Sequence, residues 1–255
     1  MSPPGRHGPR SGPFGAKGLD RSAECEGTPR TQAPVQAARQ ALVLDFGGVV
    51  TRTLFETHAL TERALGLAAG TLAWRGPFDP ASDPLWRDMQ ADKLSERDYW
   101  LARTREVGRL VGEDWTAMET FVQRARGADV DAVIRPEAVA AIRAAKAASC
   151  KLAILSNELD LFYGAGFRDR LALLAAFDAV VDATYTHILK PDPRAYAACI
   201  DQLGLPPQAC VFVDDQLRNV EGGRRAGMRV VHFDVMQPQT SYDRALQLLG
   251  LSTVR

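Results

Sequence analysis

The stretch A-L-V-L-D-F-G-G-V-V-T, residues 41–51, decides the fold. Four apolar residues run straight into Asp45. A short continuous apolar run reads as a strand buried on both faces, the kind found inside a parallel sheet. Gly47 and Gly48 break the run with a turn where no side chain blocks the backbone. A carboxylate therefore stands at the carboxyl end of a buried strand, the edge at which open α/β sheets bind their ligands. The competing reading makes Asp45 a cap for the segment that follows it, and the rest of the chain has to choose between the two.

Downstream of residue 134 the pattern alternates. Pro136 suits the first turn of a helix running to residue 148. K-L-A-I-L-S-N, residues 151–157, is a second buried strand ending in a hydroxyl and an amide. A helix over 167–176, a strand over 179–182, a proline-marked loop over 186–193 and a helix over 195–203 follow. Residues 210–213 form a third strong apolar strand, ending in Asp214 and Asp215. A helix over 219–226 stops at Gly227 as a left-handed cap would, before a last strand over 229–233 and a last helix over 242–249. Strands alternating with helices imply a doubly wound parallel sheet with helices on both faces.

Between the first two strands the sequence turns helical. Apolar residues fall at helical spacing over 54–67, 84–89, 95–110 and 114–125, with Ser95 and Asp98 marking a helix start. No strand is read there, so residues 54–133 are expected to form an inserted helical domain, with the core in 40–53 and 134–255. Its aromatics, among them Trp74, Trp86, Trp100 and Phe121, read as packing first and as pocket lining second. Residues 1–39 are expected to be a disordered tail: the first eighteen are rich in Pro, Gly and Arg and nearly lack large apolar side chains.

Composition narrows the class. The formal net charge of the 255 residues is zero, so nothing global points to nucleic acid or an anionic membrane surface. No apolar run approaches the roughly 20 residues that span a bilayer. Cys25, Cys150, Cys199 and Cys210 show no C-x-x-C spacing, which argues against a zinc site and a disulfide framework. Reduced thiols in a cytoplasmic protein are the expectation.

Parallel strands bring their carboxyl ends to one edge, so Asp45, Ser156, Asn157, Asp214 and Asp215 can converge in one cleft, with Lys190 on a neighbouring loop. Clustered carboxylates repel one another unless a cation sits between them, and hard oxygen donors of this kind suit Mg²⁺. A lysine and a hydroxyl suit phosphate oxygens, and a carboxylate beside such a phosphate can act as a nucleophile. Singly, Ser156 and Asn157 read equally as turn formers, Lys190 as a solvated charge and Asp214 as a helix cap; their ordered placement at strand ends favours the site.

Four ordered motifs, D-F-G-G-V-V-T, I-L-S-N, K-P-D-P and F-V-D-D-Q-L-R-N, resemble those of the haloacid dehalogenase-like hydrolases over residues 41–252. The branch that looks closest holds the phosphatase domain of soluble epoxide hydrolase and certain sugar-phosphate phosphatases. The resemblance implies a Rossmann-like α/β core with a helical cap of the first type and a Mg²⁺-dependent phosphatase working through an aspartyl phosphate. By matching position it implies Asp45 as nucleophile and Asp215, with Asp45 and the carbonyl of Gly47, as metal ligands. Asp214 would support the metal, Ser156 and the backbone of Asn157 would hold the phosphoryl group, Lys190 would neutralise charge, and Asn219 would order the loop after Asp215. The partner implied is a small phosphorylated molecule, with a homodimer left open.

One position departs from the family pattern. Its phosphatases usually carry an acid two residues after the nucleophile, and Gly47 stands there. Loss of a positioned acid typically costs about 10²–10⁴-fold in rate. Glu56, His58 and Asp92 on the insert, and His187 near Lys190, are the substitutes considered. The alternatives to a phosphatase are a 2-haloacid dehalogenase-type hydrolase, which would need no acid, and a non-catalytic binding protein of the same fold.

Overall fold

A computed structural model of the chain describes residues 39–126, 131–164 and 166–252. The expected tail lies outside these, save for Arg39. Strands β1 (Ala41–Leu44), β2 (Lys151–Ser156), β3 (Ala179–Asp182), β4 (Cys210–Asp214) and β5 (Arg229–His232) form one sheet. Its order is β3-β2-β1-β4-β5, and every neighbouring pair is parallel. From β1 the chain winds out to one edge and then returns to build the other, so the topological switch point lies between β1 and β4.

Helices α1 (His58–Leu65), α2 (Pro84–Gln90), α3 (Glu96–Leu110) and α4 (Met118–Arg126) come between β1 and β2, before α5 (Pro136–Ala147). Short α6 (Leu159–Tyr163), α7 (Phe167–Arg170) and α8 (Ala183–Thr186) flank β3, and α9 (Pro193–Leu203), α10 (Leu217–Arg225) and α11 (Pro238–Leu248) complete the chain. Strand alternation sorts the core into two layers. Leu42, Leu44, Ile154 and Val213 pack with Ile142 of α5 and Leu246 of α11. Ala41, Val43, Leu155 and Phe212 pack on the other face with Tyr196 and Leu203 of α9. Both faces of β1 are thus covered, which is why its four residues are apolar without alternation.

The segment between β1 and α5 leaves and rejoins the sheet through two connectors that pair with each other. Thr51 and Ile134 form an antiparallel bridge, and Arg135 N–H donates to the carbonyl of Val50 at 3.0 Å. The buried Arg135 guanidinium donates to the carbonyl of Gly48 at 3.1 Å and to both oxygens of Glu56, at 2.9 and 2.5 Å. The helices beyond pack their own apolar cluster around Phe55, Trp74, Trp86, Tyr99, Trp100 and Phe121. A buried polar knot ties α2 to α3: Asp83 accepts from Trp86 N–H at 2.9 Å, the Tyr99 hydroxyl at 2.7 Å and Arg103 at 2.5 Å.

Several elements differ from the sequence expectation. The Ser95 hydroxyl does accept from Asp98 N–H at 3.1 Å and starts α3 where expected. The helix expected over 54–67 begins only at His58, because Glu56 folds back to accept from Thr53 N–H at 2.8 Å. The helix expected from 114 begins at Met118. Residues 167–176 split into α7 and a 3₁₀ turn, Ala172–Ala176. Helices α6 and α8 were not anticipated; an element of one turn has no periodicity to read.

His58 is 5% exposed and stands edge-on to Trp74, with ring centroids 4.3 Å apart. Neither ring nitrogen has a hydrogen-bond partner within 3.5 Å among the described residues. Burial, helped by nearby Arg75, lowers its pKa from 6.5 to about 4. The unfolded chain therefore takes up a proton that the folded chain refuses, and stability present above pH 6.5 is lost as pH falls towards 4. His58→Leu should gain about 1–2 kcal/mol over the parent at pH 5 relative to pH 7.5, after allowance for residual solvent access. Urea denaturation at the two pH values checks this, and an equal effect at both would show that His58 is not held neutral.

Candidate active site

Asp45 leaves the end of β1 with its N–H donating to the carbonyl of Val213 at 2.9 Å, so β4 still holds the backbone where the carboxylate emerges. The glycine turn follows, and its two glycines differ. Gly48 has φ +79°, and a Cβ there would lie 2.7 Å from Oδ2 of Asp215. Only glycine combines that conformation with that approach. Gly47 has an ordinary φ of −70°, and a Cβ there would meet nothing within 4 Å.

Lys190 reaches the same point from its loop. Its ammonium donates to Oδ1 of Asp45 and to Oδ2 of Asp214, both at 2.7 Å. The loop is clipped by Asn157, whose amide accepts from Lys190 N–H at 2.7 Å and donates to the Lys190 carbonyl at 3.2 Å. Both ends of that side chain are therefore occupied. Asp214, 0% exposed, accepts in addition from Gln216 N–H at 2.8 Å and from the amide of Asn219 at 3.1 and 3.2 Å. Asn219 thus braces Asp214, and both oxygens of Asp214 already take protein donors. Asp215 is different: among the described residues no donor reaches its carboxylate.

The electrostatics follow from this crowding. Burial raises the Asp45 pKa most, Lys190 pulls it back and Asp214 pushes it up again, to about 7. Burial, then Asp214 and Asp45, push Asp215 well above the carboxylate range. Burial pulls the Lys190 pKa down; Asp214 and Asp45 outweigh it and raise it, so the ammonium stays charged. One ammonium serves a group of three carboxylates, each of which offers an oxygen within 4.8 Å of those of the other two. That donor set, all hard oxygens with an excess of negative charge and one unengaged carboxylate, fits a divalent cation such as Mg²⁺.

Asp45, Gly47, Ser156, Asn157, Lys190, Asp215 and Asn219 line one cavity, with about 820 Å³ of empty space partly open to solvent; Asp214 lies beneath it. The Ser156 hydroxyl makes no hydrogen bond within the described protein. None of the four substitute acids lines this cavity. Glu56 is locked to Arg135, His58 is sealed among aromatics, Asp92 pairs with Arg218 at 3.4 Å on the surface, and His187 ends α8 in a left-handed conformation.

Sequence reasoning missed two acids that do line it, Glu96 and Glu158. Glu96 sits in the first turn of α3 and lies 3.5 Å from Arg218 of α10. Glu158 accepts from Arg97 of α3 at 2.6 Å. Burial, chiefly, raises both pKa values. The Ser95 capping signal had placed Glu96 at a helix start but not that start at the cleft. Beside Ser156, the buried Asp182 at the end of β3 accepts from the N–H groups of Leu159 and Asp160, at 3.1 and 2.9 Å, and from Arg168 at 2.7 Å.

A family model for haloacid dehalogenase-like hydrolases matches residues 40–227. The chain belongs to that family. Phosphatase MT3486 of Mycobacterium tuberculosis (strain CDC 1551 / Oshkosh) is 30% identical over 57% of this chain; the match covers 64% of the phosphatase, under two thirds of its length. (S)-2-haloacid dehalogenase 1 of Pseudomonas sp. (strain CBS-3) is 30% identical over 67% of this chain and 78% of its own. Among solved structures, the magnesium-bound HAD-hydrolase YfnB of Bacillus subtilis superposes with a TM-score of 0.61 over 84% of this chain and 100% of its own, at 15% identity, a likeness of fold. A haloacid dehalogenase-like hydrolase thus carries its acids at the switch point of its sheet. No helix among the described residues is long and apolar enough to cross a membrane.

Proposed function

We propose that this hydrolase is a Mg²⁺-dependent phosphatase that cleaves small phosphomonoesters through a phosphoryl group carried on Asp45. The observation behind the reading is the Lys190 ammonium held at 2.7 Å from both Asp45 and Asp214, with the unengaged Asp215 carboxylate beside them.

Lys190 holds Oδ1 of Asp45 and leaves the second oxygen without a protein hydrogen bond among the described residues, and that oxygen attacks phosphorus. The Asp45 O–P bond forms as the ester O–P bond breaks, and the ester oxygen leaves as an anion that takes its proton from water. The Ser156 hydroxyl and the Asn157 N–H hold the phosphoryl oxygens, while Asn157 spends its side chain fixing Lys190. Water then attacks phosphorus, releasing orthophosphate and restoring the carboxylate. Asp45, Asp215 and the carbonyl of Gly47 would hold Mg²⁺, and when bound it supplies positive charge to the phosphate and keeps Asp45 ionised near neutral pH. Asp214 acts one step back, by fixing Lys190. Residues 54–133 act as the cap that closes the cleft.

The phosphatase name of one relative is consistent with this reading. The dehalogenase relative raises the other reading, but a 2-haloacid is itself an anion. Asp215, Glu96 and Glu158 line the cavity, and Lys190 is already bound to two carboxylates. Such a cleft repels a free carboxylate and calls for a cation first.

Hydrolysis of para-nitrophenyl phosphate tests the proposal, because its good leaving group needs no acid at position 47. Turnover should need Mg²⁺ and stop with EDTA, and Asp215→Ala should raise the half-saturating Mg²⁺ concentration at least about tenfold. Metal-independent turnover, or release of halide from a 2-haloacid without phosphatase activity, would overturn it.

A further inference from the structure

We propose that the cavity selects aryl phosphates whose leaving group is uncharged, and rejects phosphomonoesters that carry a second anionic group. The inference rests on the phosphatase reading and adds the substrate class to it.

Three observations converge. The first is the wall above the carboxylates. Phe55, Trp86 and Trp100 from the insert and Phe162 from α6 line the cavity, and these rings lie edge to face, with centroids 5.3 Å apart for Phe55–Trp86 and 6.1 Å for Trp100–Phe162. Rings packed this way present apolar surface to the cavity, against which another flat ring packs well. A sugar laid against that wall would turn hydroxyls towards apolar rings, at a cost in hydrogen bonds unmade on that side.

The second is charge. Glu96 and Glu158 lie on the lining, while their counter-ions Arg218 and Arg97 do not. Of the lining cations, Lys190 is committed to Asp45 and Asp214, and Arg52 is solvent-exposed on the connector. A second phosphate or carboxylate on the substrate would face acids with no buried cation to offset them.

The third is the leaving oxygen. Gly47, two residues from the nucleophile, offers no side chain and stands in open space. Glu96, the acid of the insert on the lining, is tied to Arg218. An alkoxide would need a donor. A phenoxide departs as a stable anion and takes its proton from water afterwards. All three features point to the same leaving group.

A matched pair of esters tests this with the intact chain and saturating Mg²⁺: 4-(carboxymethyl)phenyl phosphate and its methyl ester. The two phenols leave about equally well and differ in one negative charge. The methyl ester should show a kcat/KM about tenfold higher, carried mainly by KM, the order expected of a partly screened like charge. Glu96→Gln should shrink that ratio at least about threefold; Glu158→Gln, the other acid on the lining, serves as the second variant if the first does not fold. Equal kcat/KM for the pair, or a preference for the free acid, would overturn the inference and leave the phosphatase reading standing. Failure to hydrolyse either ester, and acetyl phosphate as well, would sink the phosphatase reading and this inference with it.

Discussion

Asp45→Asn is expected to lower kcat on para-nitrophenyl phosphate by at least about 10³-fold while the protein stays folded. The amide has the shape of the carboxylate but not its attacking oxygen, so the covalent step fails and only binding survives. The fold should not suffer. Asp45 is one of three carboxylates gathered within 4.8 Å, and its pKa is pushed up to about 7, chiefly by burial. Removing that charge relieves repulsion, and Lys190 keeps its contact with Asp214 at 2.7 Å. Two measurements check the result. Acid quench during turnover should trap phosphate on the peptide containing residue 45 in the parent and not in the variant. The urea midpoint should be equal or higher in the variant. Turnover within about tenfold of the parent would remove Asp45 as nucleophile.

Lys190→Met is expected to cost about 3–5 kcal/mol of stability as well as turnover, because it leaves buried carboxylates without their cation. The Lys190 side chain is 1% exposed and the Asp214 side chain 0%, so solvent cannot substitute. The pH dependence gives the test its sign. Without the ammonium, Asp45 and Asp214 can relieve their repulsion only by taking up a proton. The folded variant therefore binds protons more tightly than its unfolded chain, and its deficit should grow as pH rises from 5.5 to 8. Lys190→Met/Asp214→Asn should recover part of the loss, since it removes one of the stranded charges. A deficit below about 1 kcal/mol, flat with pH, would show that the lysine does not hold the cluster together.

Residues 41–44 and 210–213 were legible as strands because a strand covered on both faces must be apolar at every position, and each run ends where the first acid appears. The residues alone made the identical neighbours Asp214 and Asp215 legible as a pair; only the resemblance told them apart, giving Asp215 the metal and Asp214 a supporting place. Successive side chains on a strand point to opposite sides, so one had to turn towards Lys190 and Asn219 and the other towards Gly48. Which did which depends on residues up to 167 positions away in the chain, since Gly48 is packed against Asp215.

The same limit explains the acids. Glu56 and His58 looked available until Arg135 and Trp74, 79 and 16 positions further on, claimed them. Glu96 drew no notice in the sequence, where only its neighbours Ser95 and Asp98 carried a signal. It reaches the cleft only because Arg97–Glu158, Arg218–Glu96 and a 3.2 Å hydrogen bond from Gln90 to Gln216 seat the insert over the sheet. Local signals place an element. They do not say which end of it meets a partner more than a hundred residues away.

Asp182 carries a consequence for how the molecule tolerates change. Its carboxylate gathers the first amides of α6 together with Arg168, and so it fixes the short bend through which Ser156 is presented. A peripheral strand that lends no atom to the cleft thereby sets the aim of the hydroxyl to which the proposed mechanism gives the phosphoryl oxygens. Damage at that outer margin would be felt as lost speed rather than lost grip on the metal, and someone searching only the cleft for its origin would look in the wrong place.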